Sequence, residues 1–392
     1  MANMSKSRKP RISELDTLRG AAFLAVVLQH AIAHYFPLPA TGLDDGVLMG
    51  LLLILSKFAV PVFVFMTGMS LFYSYDGEVR YLTFLRKRLK DIALPYLPWA
   101  VLYAIEFQHV QLLDWAGWQK LGLMLFTGKA SYHLWYVVMV FQLYLIFPPL
   151  QRLAKRVRPR TFTATMGILA LLLGLYLILM EQGGAIYRAA VSWDVPVLSA
   201  FFAKYLDRNA LMYFFYFAMG AVAAFYVEQW RAWLLRLRYG ILTGFAGMSI
   251  WLLYVVVDHF ELTPQVVIRY NDLGLLNPRM AIFLTLSVLA VYVAAVQWEQ
   301  GAPGWLRSII AWLGAYSYVA YLAHAYVLKY MERVADGMFG MDGSASARAL
   351  VAFVLSAAGA AVIAWVLRSA ARSLKQLRRM NTQQESKNSA AL

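Results

Sequence analysis

The sequence has no cysteine and little charge of either sign, and both shortages restrict its chemistry. Without a thiol the chain cannot form disulfides, a zinc–thiolate site or a cysteine acyl-enzyme. Only 15% of its 392 residues are charged, whereas 61% are hydrophobic. Soluble domains of this size do not reach that hydrophobic content, so the composition predicts a polytopic membrane protein.

The chain also shows no internal repeat and no second soluble domain. Its apolar segments are each long enough to cross about 30 Å of hydrocarbon as a helix. The ten predicted spans cover approximately residues 18–36, 47–74, 93–109, 133–151, 162–180, 210–228, 239–257, 276–297, 307–330 and 346–368. We therefore predict an all-α bundle of about ten transmembrane helices over 18–368. A basic tail (1–17) precedes it, and a basic, partly disordered tail (369–392) follows it.

The net charge of +15 follows the loops of this bundle rather than a nucleic-acid-binding stripe. One alternating set of loops, which includes both termini, carries 25 of the 36 Lys and Arg residues. This asymmetry predicts that both termini are cytoplasmic. A cleavable signal peptide ending near residues 31–33 is the alternative for the first span, but the polar pair Gln29–His30 argues for a retained helix.

Arg19 and His30 are the two most informative residues of the first span. Their separation of eleven residues is three helical turns, which places both on one face with a rise of about 16 Å between them. Polar groups at such depths are costly in a membrane and are often functional. The structural alternatives are that Arg19 anchors the helix at the headgroups and that His30 pairs with a neighbouring helix.

The remaining polar groups suggest different functions for the two halves of the membrane region. The basic run that includes Arg86 and Arg88 lies at the same predicted lip as Arg19, whereas the histidines lie in the opposite half. A basic mouth can bind a polyanionic donor, and a deeper histidine can act as a base or nucleophile. Topology alone also explains the basic run. His30 and His34 form a weak candidate metal pair, so we expect no metal.

Four segments occur in an order that resembles a known family. They are Leu15-Asp16 followed by Arg19-x10-His30, the apolar run Pro61–Met69, His133-Leu134-Trp135-Tyr136, and Ser317-Tyr318 with Tyr321-Leu322-Ala323-His324. Together they resemble the acyltransferase-3 family of integral membrane O-acyltransferases, and the resemblance covers nearly the whole chain. Thr67 and Met69 depart from the serine and the aromatic residue that the family has at those positions.

The resemblance implies transfer of an acyl group, usually acetyl from acetyl-CoA, to a hydroxyl of a cell-surface polysaccharide or glycolipid. The expected location is the bacterial cytoplasmic (inner) membrane. The resemblance also leaves open the participation of an extracytoplasmic partner protein that completes the transfer. The implied catalytic residues are His30 and His324, and the implied CoA-binding residues are Arg19, Arg86 and Arg88. The implied substrate-binding residues are Lys57, His133, Trp135, Tyr136 and Ser317.

Purely structural roles are the alternatives for several of these residues. Trp135 and Tyr136 also suit an interfacial aromatic belt, and Ser317 and Thr67 suit helix packing by small residues. For the whole chain, a glycan or lipid transporter is the main rival, although the spans show no paired inverted halves. A purely structural membrane protein would leave the polar residues in mid-span unexplained.

Overall fold

The computed structural model describes residues 9–263 and 266–390, and it confirms the all-α prediction. The structure is 81% helical, and the described segments contain no β-strand. Residues 1–8, which belong to the predicted N-terminal basic tail, lie outside the described residues. The α-helices of the described segments are α1 Glu14–Tyr35, α2 Leu43–Ser56, α3 Ala59–Ser74, α4 Tyr81–Arg88, α5 Leu94–Glu106, α6 Trp115–Thr127, α7 Trp135–Val157, α8 Phe162–Glu181, α9 Gly183–Val191, α10 Pro196–Phe202, α11 Phe214–Phe225, α12 Val227–Asp258, α13 Pro278–Gly301, α14 Gly304–Phe339 and α15 Ala345–Ala390.

Seven helical segments are long and apolar enough to cross a membrane, so the chain is a multi-pass membrane protein. They are α1, α2 together with α3, α7, α8, α12, α13 and α15. The other three predicted spans correspond to α5 and α11, which are only 13 and 12 residues long, and to α14, which is long but more polar. The count of ten spans and the cytoplasmic termini therefore stay predictions.

Helix α1 lies among α2, α3, α13, α14 and α15, and its closest approach is to α14. A Cβ atom on Gly314 would lie 2.1 Å from the carbonyl oxygen of Asp16, and one on Gly20 would lie 2.7 Å from that of Ile310. Only glycine permits backbones to approach so closely. The two helices run in the same direction, since the Tyr35 hydroxyl at the far end of α1 donates to the Glu332 carbonyl of α14 (3.1 Å).

A buried ion pair ties the start of α1 to two other helices. The Arg231 guanidinium of α12 donates from Nε and Nη2 to the two carboxylate oxygens of Glu14, at 2.6 and 2.9 Å. The Tyr292 hydroxyl of α13 donates to the same carboxylate at 2.8 Å. Such a bidentate pair fixes orientation as well as distance, so it holds α1 in register with α12 and α13.

The predicted span 47–74 is not one continuous helix. It breaks between α2 and α3, at Lys57 and Phe58, although both residues keep helical backbone angles. Pro61 has no amide hydrogen to offer the carbonyl four residues earlier, which weakens the helix at this point. The break places Lys57 at a bend within the membrane region.

Two segments outside the predicted spans contain helix. The connection between α8 and α11 includes the short helices α9 and α10. Helix α15 continues beyond the last predicted span, through the basic run, to Ala390. Residues 369–390 contain no glycine or proline and many good helix formers, which explains the continuation.

Candidate active site

Arg19 and His30 lie on α1 as predicted, and neighbouring helices fix the position of Arg19. Its guanidinium donates to Oδ1 of Asp16 at 3.0 Å and to the hydroxyl of Ser70 on α3 at 3.2 Å. The side chain remains 36% exposed, so it can still reach a ligand. Arg19 is thus positioned by one carboxylate and one hydroxyl rather than neutralised in a buried pair.

Arg19 faces a cavity of about 350 Å³, which we call the arginine cavity. Two further guanidinium groups line it, from Arg88 at the end of α4 and from Arg368 on α15. No carboxylate occurs among the described residues that line it. Three cations around one cavity form a site for a polyanion, because guanidinium pairs bidentately with phosphate.

Arg88 and Arg86 have different environments, although they are two residues apart. The Arg88 guanidinium is half-buried and lies over the rings of Tyr75, Phe84 and Tyr144, at 5.2–5.7 Å from their centres. Arg86 is exposed and does not line the arginine cavity. The structure therefore groups Arg19 with Arg88 but leaves Arg86 on the surface near the cavity mouth.

A π-helical turn forms part of the cavity wall next to Arg88. This turn, Leu89–Ala93, joins α4 to α5, and its residue Ile92 lines the arginine cavity. The Tyr318 hydroxyl of α14 donates to the Ile92 carbonyl at 2.7 Å. Single π-helical turns are often found at functional sites, and this one begins directly after Arg88.

Three aromatic rings close the inner end of the arginine cavity, and we call them the aromatic partition. Phe63, Tyr136 and Tyr321 all line the cavity, and their ring centres are 5.7–6.4 Å apart. Tyr321 is the shared wall between the cavity and the histidines beyond it. Its hydroxyl donates to the main-chain carbonyl of His133, and its ring centre lies 5.2 Å from the His133 imidazole.

Beyond the partition, three imidazoles come together in a histidine cluster. His30, His133 and His324 have ring centres 4.5–6.4 Å apart, and His30 stacks on His324 at 5.4 Å. These residues come from α1, from the turn before α7 and from α14. His133 and His324 are almost completely buried. The sequence predicted all three as site residues, and the structure shows that they form a single group.

Hydrogen bonding defines the basic nitrogen of His324. Its Nδ1 lies 2.5 Å from the main-chain oxygen of Tyr321. A carbonyl oxygen can only accept, so in the neutral imidazole Nδ1 carries the hydrogen and Nε2 keeps its lone pair. The Nε2 atom of His324 is buried and has no hydrogen-bond partner in the described structure. Unpartnered imidazole nitrogens of this kind can take a proton or attack a carbonyl carbon.

The other predicted substrate residues do not share one location. Lys57 follows Ser56, whose main-chain carbonyl accepts a hydrogen bond at 2.7 Å from the side chain of Gln29, the residue before His30. Ser317 lies in the arginine cavity and donates to the Gly314 carbonyl at 2.9 Å. Trp135 lies against Tyr213, with ring centres 5.7 Å apart, and does not line the arginine cavity.

Sequence reasoning did not predict three of the residues that complete this arrangement. Tyr132 contacts His30 at 4.5 Å between ring centres, and Tyr321 forms the shared wall. Arg368 reaches the cavity and donates to the Ala315 carbonyl of α14. Tyr132 precedes His133 directly, and Tyr321 lies within a quoted motif, so proximity to the motifs was the available signal. Arg368 had none beyond its basic charge.

The candidate metal pair does not gain a third ligand. His34 lies 3.5 Å from a Glu332 carboxylate oxygen, in a pairing that is ionic when the imidazole is protonated. Within residues 9–263 and 266–390, no group of three or more His, Asp or Glu side chains is arranged to hold a metal ion. His34 therefore faces Glu332 at the end of α1.

Comparison with known proteins bears on this geometry. The model of an acyltransferase domain, acyltransferase-3, matches residues 12–368. The chain belongs to the acyltransferase-3 family. No curated protein and no solved structure gives a significant match. The matched residues of this membrane acyltransferase include the whole histidine cluster and the arginine cavity, and Arg368 is the last of them.

Proposed function

We propose that this acyltransferase moves an acyl group, acetyl in the first instance, from acyl-CoA to a hydroxyl of a cell-surface polysaccharide or glycolipid. One observation carries the proposal. Tyr321 lines the arginine cavity, and its ring centre lies 5.2 Å from that of His133 and 5.6 Å from that of His324. One side chain of the aromatic partition therefore contacts both the cavity and the histidine cluster.

The dimensions of the site suit CoA as the donor. Arg19, Arg88 and Arg368 would bind its phosphates at the cavity mouth, where guanidinium groups offer paired donors. The rise from Arg19 to His30 is about 16 Å, and the extended pantetheine arm spans on the order of 15–20 Å. The cavity volume of about 350 Å³ lies within the range of ligand pockets. The thioester would thus reach the aromatic partition.

The transfer is balanced without an added acid or base. The thioester C–S bond breaks, a C–O bond to the acceptor forms, and the hydroxyl proton ends on the CoA thiol. His30 acts either as the base that takes this proton or as the nucleophile that first accepts the acyl group. His324 presents its Nε2 lone pair to the same space, while Lys57 stabilises negative charge that develops on the acyl oxygen.

The variant His30→Ala tests this assignment. We expect transfer from radiolabelled acetyl-CoA to fall more than tenfold, a loss above about 1.4 kcal/mol in transition-state stabilisation, while CoA binding is retained. His259→Ala is the matched control, because His259 lies in the loop after α12 and not in the histidine cluster. Retention of more than a tenth of wild-type transfer in His30→Ala would remove this residue from the chemistry.

The acceptor and the sides of the membrane are tested in cells. Loss of O-acyl groups from surface glycans on deletion of the protein, measured by mass spectrometry, would support the acceptor class. We propose a bacterial inner-membrane location with the arginine end in the cytoplasm, based on the distribution of Lys and Arg. A cysteine at Gln108 should then react with an impermeant maleimide in intact cells, and a cysteine at Ser373 should not.

A further inference from the structure

A second pocket, of about 400 Å³, lies at the opposite end of the bundle from the arginine cavity. Its walls come from the turn after α5, from the residue before His133 and from one face of α14. The side chains that matter here are those of Glu106, Phe107, His109, Tyr132, Lys329 and Glu332. We call this pocket the vestibule.

The vestibule adjoins the histidine cluster. The ring of Tyr132 is shared, because it lines the vestibule and lies 4.5 Å from His30 and 5.5 Å from His133 between ring centres. Ala325, which follows His324 directly, also lines the vestibule. A molecule held against Tyr132 is therefore one ring away from His30, on the side remote from the arginine cavity.

The lining has the chemistry of a hydroxyl-binding site with a bias in charge. Glu106 and Glu332 supply two carboxylates, which accept hydrogen bonds from hydroxyls, and the rings of Phe107 and Tyr132 offer faces to C–H groups. The single ammonium, from Lys329, lies 4.7 Å from the centre of the Phe107 ring. The lining has no excess of cations, so it offers an anionic ligand no net electrostatic attraction.

The backbone of His109 is an independent sign that this side chain is needed. Its φ of 49° is the only positive value at a non-glycine residue in the described part of the chain. The Val110 amide donates to the Ala104 carbonyl at 3.0 Å and closes the turn. Glycine would adopt this conformation without strain, so an imidazole kept here at a cost points to a functional role.

We propose that the vestibule is the acceptor site and that it selects an uncharged sugar, whose reacting hydroxyl lies beside Tyr132 and His30. This inference rests on the proposed function, because it assigns the hydroxyl-bearing substrate of the same transfer. Glu106, His109 and Glu332 hold neighbouring hydroxyls of the sugar, and without an excess of cations the vestibule does not favour uronate or phosphate groups. His109 is a positioning residue and does not contact the reacting atoms.

The test uses the purified full chain, radiolabelled acetyl-CoA and surface polysaccharide from the source cells. The polysaccharide is de-O-acylated by mild base and separated by anion exchange into neutral and acidic fractions. We expect label in the neutral fraction. Glu106→Gln and His109→Gly should each raise the KM for that fraction at least tenfold and leave the KM for acetyl-CoA unchanged. Glycine adopts a positive φ without strain, so His109→Gly keeps this turn accessible, and near-UV circular dichroism of the variant checks that it folds.

Asp194→Asn is the control, because it neutralises an exposed carboxylate that does not line the vestibule. Label confined to the acidic fraction would overturn the charge selection, and an unchanged KM in both vestibule variants would overturn the site. If the wild type transfers to neither fraction, the proposed function fails instead. Protection of Gln108→Cys from maleimide by the neutral fraction then decides the vestibule without turnover, since absence of protection would refute it.

Discussion

Gly314→Ala adds one methyl group where α14 touches α1, and its consequences follow from the distances. The new Cβ would lie 2.1 Å from the Asp16 carbonyl oxygen and 2.9 Å from its carbonyl carbon. These atoms belong to a helix backbone and cannot rotate away, so the two helices must separate. Overpacking of this kind costs about 1–3 kcal/mol, and the upper end applies where backbone is struck.

Alanine also gains up to about 1 kcal/mol over glycine in helix propensity. The net loss in the free energy of unfolding is therefore about 2 kcal/mol. Gly337→Ala is a matched control on the same helix, because a Cβ there meets no atom within 4 Å. It should be neutral or stabilising by up to about 1 kcal/mol, so the two variants should differ by about 2–3 kcal/mol.

The same substitution should also weaken CoA binding. Asp16 holds the Arg19 guanidinium at 3.0 Å, and Gly314 itself lines the arginine cavity. We would measure unfolding in mixed micelles with increasing dodecyl sulfate, followed by near-UV circular dichroism, and CoA binding by calorimetry. Equal stability and equal CoA affinity for Gly314→Ala and Gly337→Ala would refute the close contact and the reasoning built on it.

Three further predictions follow from named contacts. Arg19→Ala should abolish calorimetric CoA binding and Arg19→Lys should restore it only in part, because ammonium cannot pair bidentately with phosphate; full restoration would contradict this. Arg231→Ala leaves the Glu14 carboxylate buried without its partner and should cost about 3 kcal/mol in micelle unfolding, whereas wild-type stability would show the pair to be dispensable. The hydrogen bond that the protonated His259 imidazole donates to the Asp272 carboxylate raises the pKa of His259 above its ordinary value, so the stabilising contribution of this pair is complete below about pH 6.5 and is lost as pH rises through the higher, folded-state pKa. Thermal melting of His259→Asn should accordingly lack the part of the wild-type decline between neutral and alkaline pH that comes from this pair, and an unchanged pH profile would contradict the assignment.

The arginine cavity and the vestibule approach the histidine cluster from different sides. The arginine cavity is lined by three guanidinium groups and no described carboxylate, whereas Glu106, Glu332 and Lys329 give the vestibule no excess of cations. Under the proposed function, the first lining suits a polyanionic donor and the second an uncharged acceptor. Two separate pockets would also allow both substrates to be bound at the same time.

Local properties of the sequence were sufficient to predict the all-α fold and most of its long helices. Hydrophobic run length determines a span, and helical periodicity determines which residues share its face, so Arg19 and His30 could be placed on one side of α1 from spacing alone. The family resemblance, carried by short motifs, added His133 and His324. None of this information required contact between distant segments.

Contacts between distant segments decided the rest. Arg368 lines the arginine cavity, whereas Arg86 lies on the surface although it is closer in sequence to Arg88. No local sequence pattern distinguishes Arg368 from Arg86 in this respect. The registers that bring His324 beside His30 depend on backbone contacts such as that of Gly314 with α1. In lipid, hydrophobicity drives each helix into the membrane but does not choose its neighbours, so close packing between faces makes that choice. The sequence by itself determined which helices form, and only the tertiary packing determined which side chains meet.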